Sequence, residues 1–129
     1  MELSDFMQNY VSEEEFETRT VNQRYFAIEY LKMLDDLESD RELPRQVEFF
    51  FYTDSKAKGK GLRKDLRDMG DEVYGIHKSN KNNYSVVGAS TPILLKEKSF
   101  QKWVQAMNEI GFANDCLFDG WGMISHIDF

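Results

Sequence analysis

The run Gln46-Val47-Glu48-Phe49-Phe50-Phe51-Tyr52-Thr53 limits the folds open to this 129-residue chain more than any other stretch. It is filled by β-branched and aromatic residues, which sit best on a pleated, half-buried surface. It is too apolar for an edge strand wetted on both faces, so it is expected in the interior of a sheet. Pro44 precedes it and Asp54-Ser55 follows, which bounds the strand and prepares a helix start.

The chain beyond that strand falls into alternating elements. A helix capped by Asp54 or Ser55 is expected to reach Met69, with Gly70 as a left-handed stop and Leu62, Leu66 and Met69 as its buried stripe. Gly59 and Gly61 weaken its first turns by about 1 kcal/mol each, which places the proper start near Leu62. Asp71–Lys78 alternates, with Val73 on one side and Tyr74 and Ile76 on the other. Tyr84–Thr91 returns, with Val86 and Val87 on opposite faces. The polar stretch from Lys78 to Asn83 between them predicts a hairpin loop slightly longer than the tightest types. After Pro92, a helix opened by Ser99 or a neighbour carries Phe100, Trp103, Val104, Met107 and Ile110 on one side, and Gly111 closes it. The last strand runs from Cys116 to about Ile127, and Gly120 and Gly122 mark a bulge or bend in it.

Before the first strand the pattern is acidic and helical. Ser12-Glu13-Glu14-Glu15 matches a capping box, and Thr20-Val21-Asn22-Gln23 offers a second. The β-branched residues Thr18, Thr20 and Val21 disfavour helix, so the second box is the expected start, with the helix running from Asn22 to about Glu38. Phe26, Tyr30, Met33 and Leu37 form one apolar stripe, and Ala27, Leu31 and Leu34 an adjoining one, so the apolar face is wide. Asp35, Asp36, Glu38, Asp40 and Glu42 load the far end with negative charge. That opposes the helix dipole, by roughly 0.3–1 kcal/mol per charge. A solvated polar end and an acidic docking surface both account for it.

Strand, helix, strand, strand, helix, strand is an order that closes most simply as a four-stranded antiparallel sheet with two helices on one face. The expected class is therefore α+β, a ferredoxin-like βαββαβ core preceded by an N-terminal helix. One domain over 1–129 is expected, with 1–42 as an acidic helical extension and 46–127 as the core. Ten Phe and six Tyr supply ample core material.

The formal net charge of −7 argues against general nucleic-acid binding, which needs a basic footprint. It suits a chain that attracts a basic partner. The single cysteine permits no internal disulfide, Met1–Tyr10 lacks the pattern of a signal peptide, and no apolar run approaches a membrane span. A cytoplasmic setting without membrane contact is the expectation.

Chemistry has few candidates. His77 and His126 are the only histidines; an acid–base pair built from them would make a small ribonuclease, whereas strand-end surface histidines are the plainer reading. No His-x-x-x-His, Cys pair or Glu-x-x-His is present, so no metal or other cofactor is expected. Cys116 could be a nucleophile only in an electropositive setting, and a buried small hydrophobe is the alternative. Lys56, Lys58, Lys60, Arg63 and Lys64 could contact RNA or another anion, or could form a solvated basic face. Asp119 and Trp121 sit in an apolar strand between glycines. Asp119 either braces the bend or recognises a partner, and Trp121 is either core or interface.

Phe118-Asp119-Gly120-Trp121-Gly122 is similar to the closing Tyr-Asp-Gly-Trp-Gly signature of the regulator of ribonuclease activity B (RraB) family. Val47–Tyr52 as first strand and the helix ending Leu66-Arg67-Asp68-Met69-Gly70 resemble the same family, as does the acidic Leu37-Glu38-Ser39-Asp40. The likeness covers roughly residues 22–125. It implies a ferredoxin-like fold, no catalytic activity, and action by binding a nuclease, either ribonuclease E or, in an immunity role, a cognate toxin nuclease. The candidate contacts are the acidic rim Asp35, Asp36, Glu38, Asp40 and Glu42, with Asp119 and Trp121 as a second patch.

Overall fold

A computed structural model of the chain describes residues 9–36, 43–80 and 82–123. The elements run α1 (Glu13–Asp36), β1 (Val47–Thr53), α2 (Lys56–Asp68), β2 (Glu72–Asn80), β3 (Asn83–Ala89), α3 (Glu97–Ala113) and β4 (Leu117–Met123). The sheet order is β2-β3-β1-β4, with every neighbouring pair antiparallel. This is the expected ferredoxin-like α+β arrangement with a helix in front of it. The Phe-rich run is the interior strand β1, where Val47, Phe49, Phe51 and Thr53 are buried and alternate with half-buried Glu48, Phe50 and Tyr52. Leu62 and Leu66 of α2 and Phe100, Val104 and Met107 of α3 share one core with Phe49, Phe51 and Val86. All helix packing on the sheet is therefore on that face.

Several boundaries differ from expectation, each for a local reason. Helix α1 starts at Glu13 and uses the first capping box: the Glu15 amide donates to Ser12 Oγ at 3.0 Å. The β-branched Thr20 is accommodated because its hydroxyl donates to the Phe16 carbonyl at 2.7 Å and its side chain is buried. Helix α2 starts at Lys56, six residues before Leu62, capped by Ser55, which accepts from the Lys58 amide at 3.4 Å. Gly59 belongs to the packing there, since a Cβ would stand 3.3 Å from Ile76 and 3.4 Å from Val86. Met69 is the C-cap of α2 and is exposed, outside the core stripe. Val73 and Ile76 share the core face, because a bulge between Val73 and Gly75 breaks the alternation and leaves Tyr74 exposed. The β2–β3 hairpin is tighter than expected: Asn80 pairs with Asn83, so its polar residues extend the strands. Helix α3 continues past Gly111 to Ala113. A Cβ on Gly111 would meet the Cys116 carbonyl at 2.8 Å and the Phe51 ring at 2.9 Å, so this glycine serves close approach. The left-handed residue after α3 is Asp115, at φ 56°.

In β4 the expected bulge is present. Phe50 pairs with Gly120 and Phe51 with Phe118, so Asp119 is the extra residue, and Gly120 has φ 132°.

Candidate partner-binding groove

The two apolar stripes of α1 have different fates. Ala27, Leu31 and Leu34 are buried in the core, where α1 packs chiefly on α3. Phe26 and Met33 are exposed at 58% and 47%, and Tyr30 lies between the two environments. The Tyr30 ring meets Phe100 at 5.7 Å and stands edge-on to Trp121 at 5.9 Å. A stripe this wide exceeds what a single packing partner covers.

The position of α1 against β4 is set by polar contacts. Gln23 Nε2 donates to the Phe118 carbonyl at 2.9 Å, and Gln23 Oε1 accepts from Asn108 Nδ2 of α3 at 2.7 Å. Gln23 and Asn108 are both buried, so this chain of hydrogen bonds is costly to break. Arg19 adds a longer bond to the same carbonyl and ion pairs to Glu15 at 4.0 Å and Asp119 at 3.8 Å. Those pairs are largely solvent-exposed and contribute at most about 1 kcal/mol each.

Between α1 and the edge strand β4 an open groove of about 880 Å³ remains. Phe26, Tyr30, Met33, Phe50 and Trp121 supply its apolar lining, and Arg19, Asn22, Glu29 and Asp119 its polar margin. The bulge turns Asp119 outward, and Gly120 leaves space, with nothing within 4 Å of where a Cβ would lie. The Tyr30 hydroxyl is buried and, among the described residues, has no hydrogen-bond partner. Burial pushes its pKa up, and the nearby Arg45 charge offsets only part of that rise.

Of the expected contact residues, Asp119 and Trp121 come together in this groove. The Trp121 ring packs on Phe100, Trp103 and Phe118, and it also lines the groove. Asp35 is exposed in the last turn of α1, two residues beyond Met33, and Asp36 ends the helix. Glu38, Asp40 and Glu42 lie outside the described residues. Phe26, Tyr30, Met33, Phe50 and Glu29 were not singled out as contacts by their sequence pattern. The doubled stripe on α1 was the signal that could have found three of them.

The other candidates are placed as follows. Cys116 is buried, and burial pushes its thiol up to about 11, so it is a core residue and no thiolate nucleophile. His77 is exposed on β2, and His126 lies outside the described residues. Lys58 is held by Asp54 at 2.9 Å and by Asp115. Lys64 pairs with Asp68 of its own helix, while Lys56 and Lys60 are exposed. Among the described residues no cluster of His, Cys, Asp or Glu could hold a metal, and no helix is long and apolar enough to cross a membrane.

Asp115 joins three parts of the chain. Its carboxylate accepts from the Tyr10 and Val11 amides at 2.8 Å each and from Lys58 Nζ. Burial pushes its pKa up, but these donors outweigh burial and hold it below the ordinary carboxylate value. Burial likewise lowers Lys58, yet its bonds to Asp115 and Asp54 leave its pKa raised.

No curated protein matches the chain. The family model described as Regulator of ribonuclease activity B matches residues 26–123, from Phe26 on the groove wall to the end of β4. That match takes in every described element from the second half of α1 onward and most of the chain's length, and the protein therefore belongs to the RraB family.

Proposed function

We propose that this chain regulates a ribonuclease by binding it, through the acidic side of α1 together with Asp119 and Trp121. Membership of a family of ribonuclease regulators carries the first half of that reading. The charge on α1 supports the second. Seven carboxylates, Glu13, Glu14, Glu15, Glu17, Glu29, Asp35 and Asp36, stand against Arg19, Arg24 and Lys32, a net of −4 on one helix. Glu38, Asp40 and Glu42 continue the acidic run in sequence. A ribonuclease must present positive charge to RNA phosphates, so an acidic surface is drawn to the place where substrate binds. Occlusion there slows cleavage with no bond made or broken by the regulator, and electrostatic steering speeds the encounter by about 10–10³-fold at low salt.

The test is inhibition of purified ribonuclease E acting on a single-stranded RNA. The wild-type chain should slow cleavage, and more weakly as salt rises. The double reversal D35K/D36K, in the last turn of α1, should lose most of that inhibition while keeping the circular dichroism spectrum. Undiminished inhibition by the reversed chain would remove the α1 acid from the interface.

A further inference from the structure

We infer that the α1–β4 groove is the anchoring pocket for a segment of the protein partner that carries one large apolar side chain flanked by lysine or arginine. This rests on the ribonuclease reading and deepens it, because it says what the acidic surface surrounds. Three observations bear on the choice of occupant. The floor is aromatic, with Tyr30, Phe50 and Trp121 around space that Gly120 leaves open. Phe26 and Met33 project from α1 as large exposed apolar side chains on the same groove. Among the groove-lining residues the charged margin is Glu29 and Asp119 against the one cation Arg19, whose charge is shared between Glu15 and Asp119; Glu29 also meets Lys32 of its own helix at 3.5 Å, an exposed pair that screens it only weakly.

These features select by chemistry. An apolar side chain gains from burial against the aromatic floor. A cation gains twice, from the acids at the rim and from the faces of the rings, and arginine stacks on rings while forking to carboxylates. An anionic segment would meet Glu29 and Asp119 with no free cation to answer it among the groove-lining residues. The geometry is that of an interface core before its partner arrives: an aromatic floor inside a polar rim, which a bound segment would close off from water.

The experiment uses the full chain and a fluorescein-labelled peptide of alternating leucine and arginine, with a second peptide carrying glutamate for arginine. Anisotropy reads binding, tryptophan emission reports on the groove, and sedimentation gives the oligomeric state. The arginine peptide should bind and the glutamate peptide should bind at least about tenfold more weakly. F26A and, independently, E29Q should each weaken the arginine peptide, F26A by about tenfold. Both positions are exposed, so folding is expected to survive. Equal binding of the two peptides, or wild-type binding by F26A, would overturn the inference. So would a wild-type dimer that F26A makes monomeric, since the occupant is then a second copy. A parallel assay with ribonuclease E separates the two readings. If the nuclease is bound equally by wild type and F26A, the groove fails and the ribonuclease reading stands. If the arginine peptide binds as stated but the nuclease is not bound, the ribonuclease reading fails and the groove stands.

Discussion

Helices α1 and α2 carry opposite charge and relate to the core in opposite ways. Against the −4 of α1, the residues Lys56, Lys58, Lys60, Arg63, Lys64 and Arg67 of α2 stand against Asp65 and Asp68, six cations less two carboxylates, for a net of +4. The large apolar side chains α2 offers, Leu62 and Leu66, are fully buried; the exposed hydrophobic at its end is the C-cap Met69. On α1 one apolar stripe is buried and the other lies open over a groove. Where the apolar width of a helix equals the width of its packing site, the residues are explained by folding. Where it exceeds it, the surplus calls for a partner.

The sharpest way to break this contrast is to truncate one apolar residue on each helix. L66A removes a side chain with no exposure and should cost about 2–5 kcal/mol in urea unfolding. F26A removes a larger side chain that is 58% exposed, and should change stability by no more than about 0.5 kcal/mol. Similar costs at both sites would mean that the Phe26 stripe is structural and the contrast empty.

A middle-sized effect is expected where α1 is held. In Q23A the Phe118 carbonyl loses its shorter donor and Asn108 loses an acceptor in a buried setting. The expected cost is about 1–3 kcal/mol, read by urea unfolding. A negligible cost would show that Arg19, the other donor to that carbonyl, is enough to hold α1 in place.

Much of this contrast could be read in the sequence, and its decisive part could not. Both stripes of α1 are visible as spacing, as are the interior strand at Val47–Thr53 and the break at Gly120. Which stripe turns inward depends on where α3 and β4 stand, and no local pattern holds that. The start of α1 was displaced because propensity condemned Thr20, whereas its hydroxyl found the Phe16 carbonyl and its side chain a buried place. The faces of β2 differ from simple alternation because a bulge between Val73 and Gly75 resets it; Gly75 was the residue that could have signalled the break. Asp115 went unremarked as an anchor because its partners Tyr10, Val11 and Lys58 lie 105, 104 and 57 residues away. The bulge that carries Asp119 is legible because Gly120 and Gly122 advertise irregular backbone.

The smallest effects concern two buried or half-buried acids that should respond to pH with opposite sign. Asp115 ties the residues before α1 to Lys58 of α2, and its folded pKa is depressed. A depressed carboxylate adds stability above its unfolded value of 3.8, and that part is lost as pH falls through the lower folded value. Lys58, raised above 10.5, loses its part as pH climbs through its folded value. D115N should therefore be less stable than wild type near neutrality, with the gap closing in acid. Asp71, just after α2, is buried with one oxygen accepting from the Thr91 amide at 3.0 Å and the other without a partner among the described residues. Burial raises its pKa, and the Thr91 bond recovers only part of that. The folded state then binds the proton first, so protonating Asp71 stabilises the fold as pH drops through the raised value toward 3.8. D71N should equal or exceed wild type near neutrality and lose that acid-side gain, as read from urea midpoints across a pH series. If both variants shifted the pH profile in the same direction, Asp115 could not be an ionised anchor linking the two helices while Asp71 is an uncompensated buried charge at the end of one.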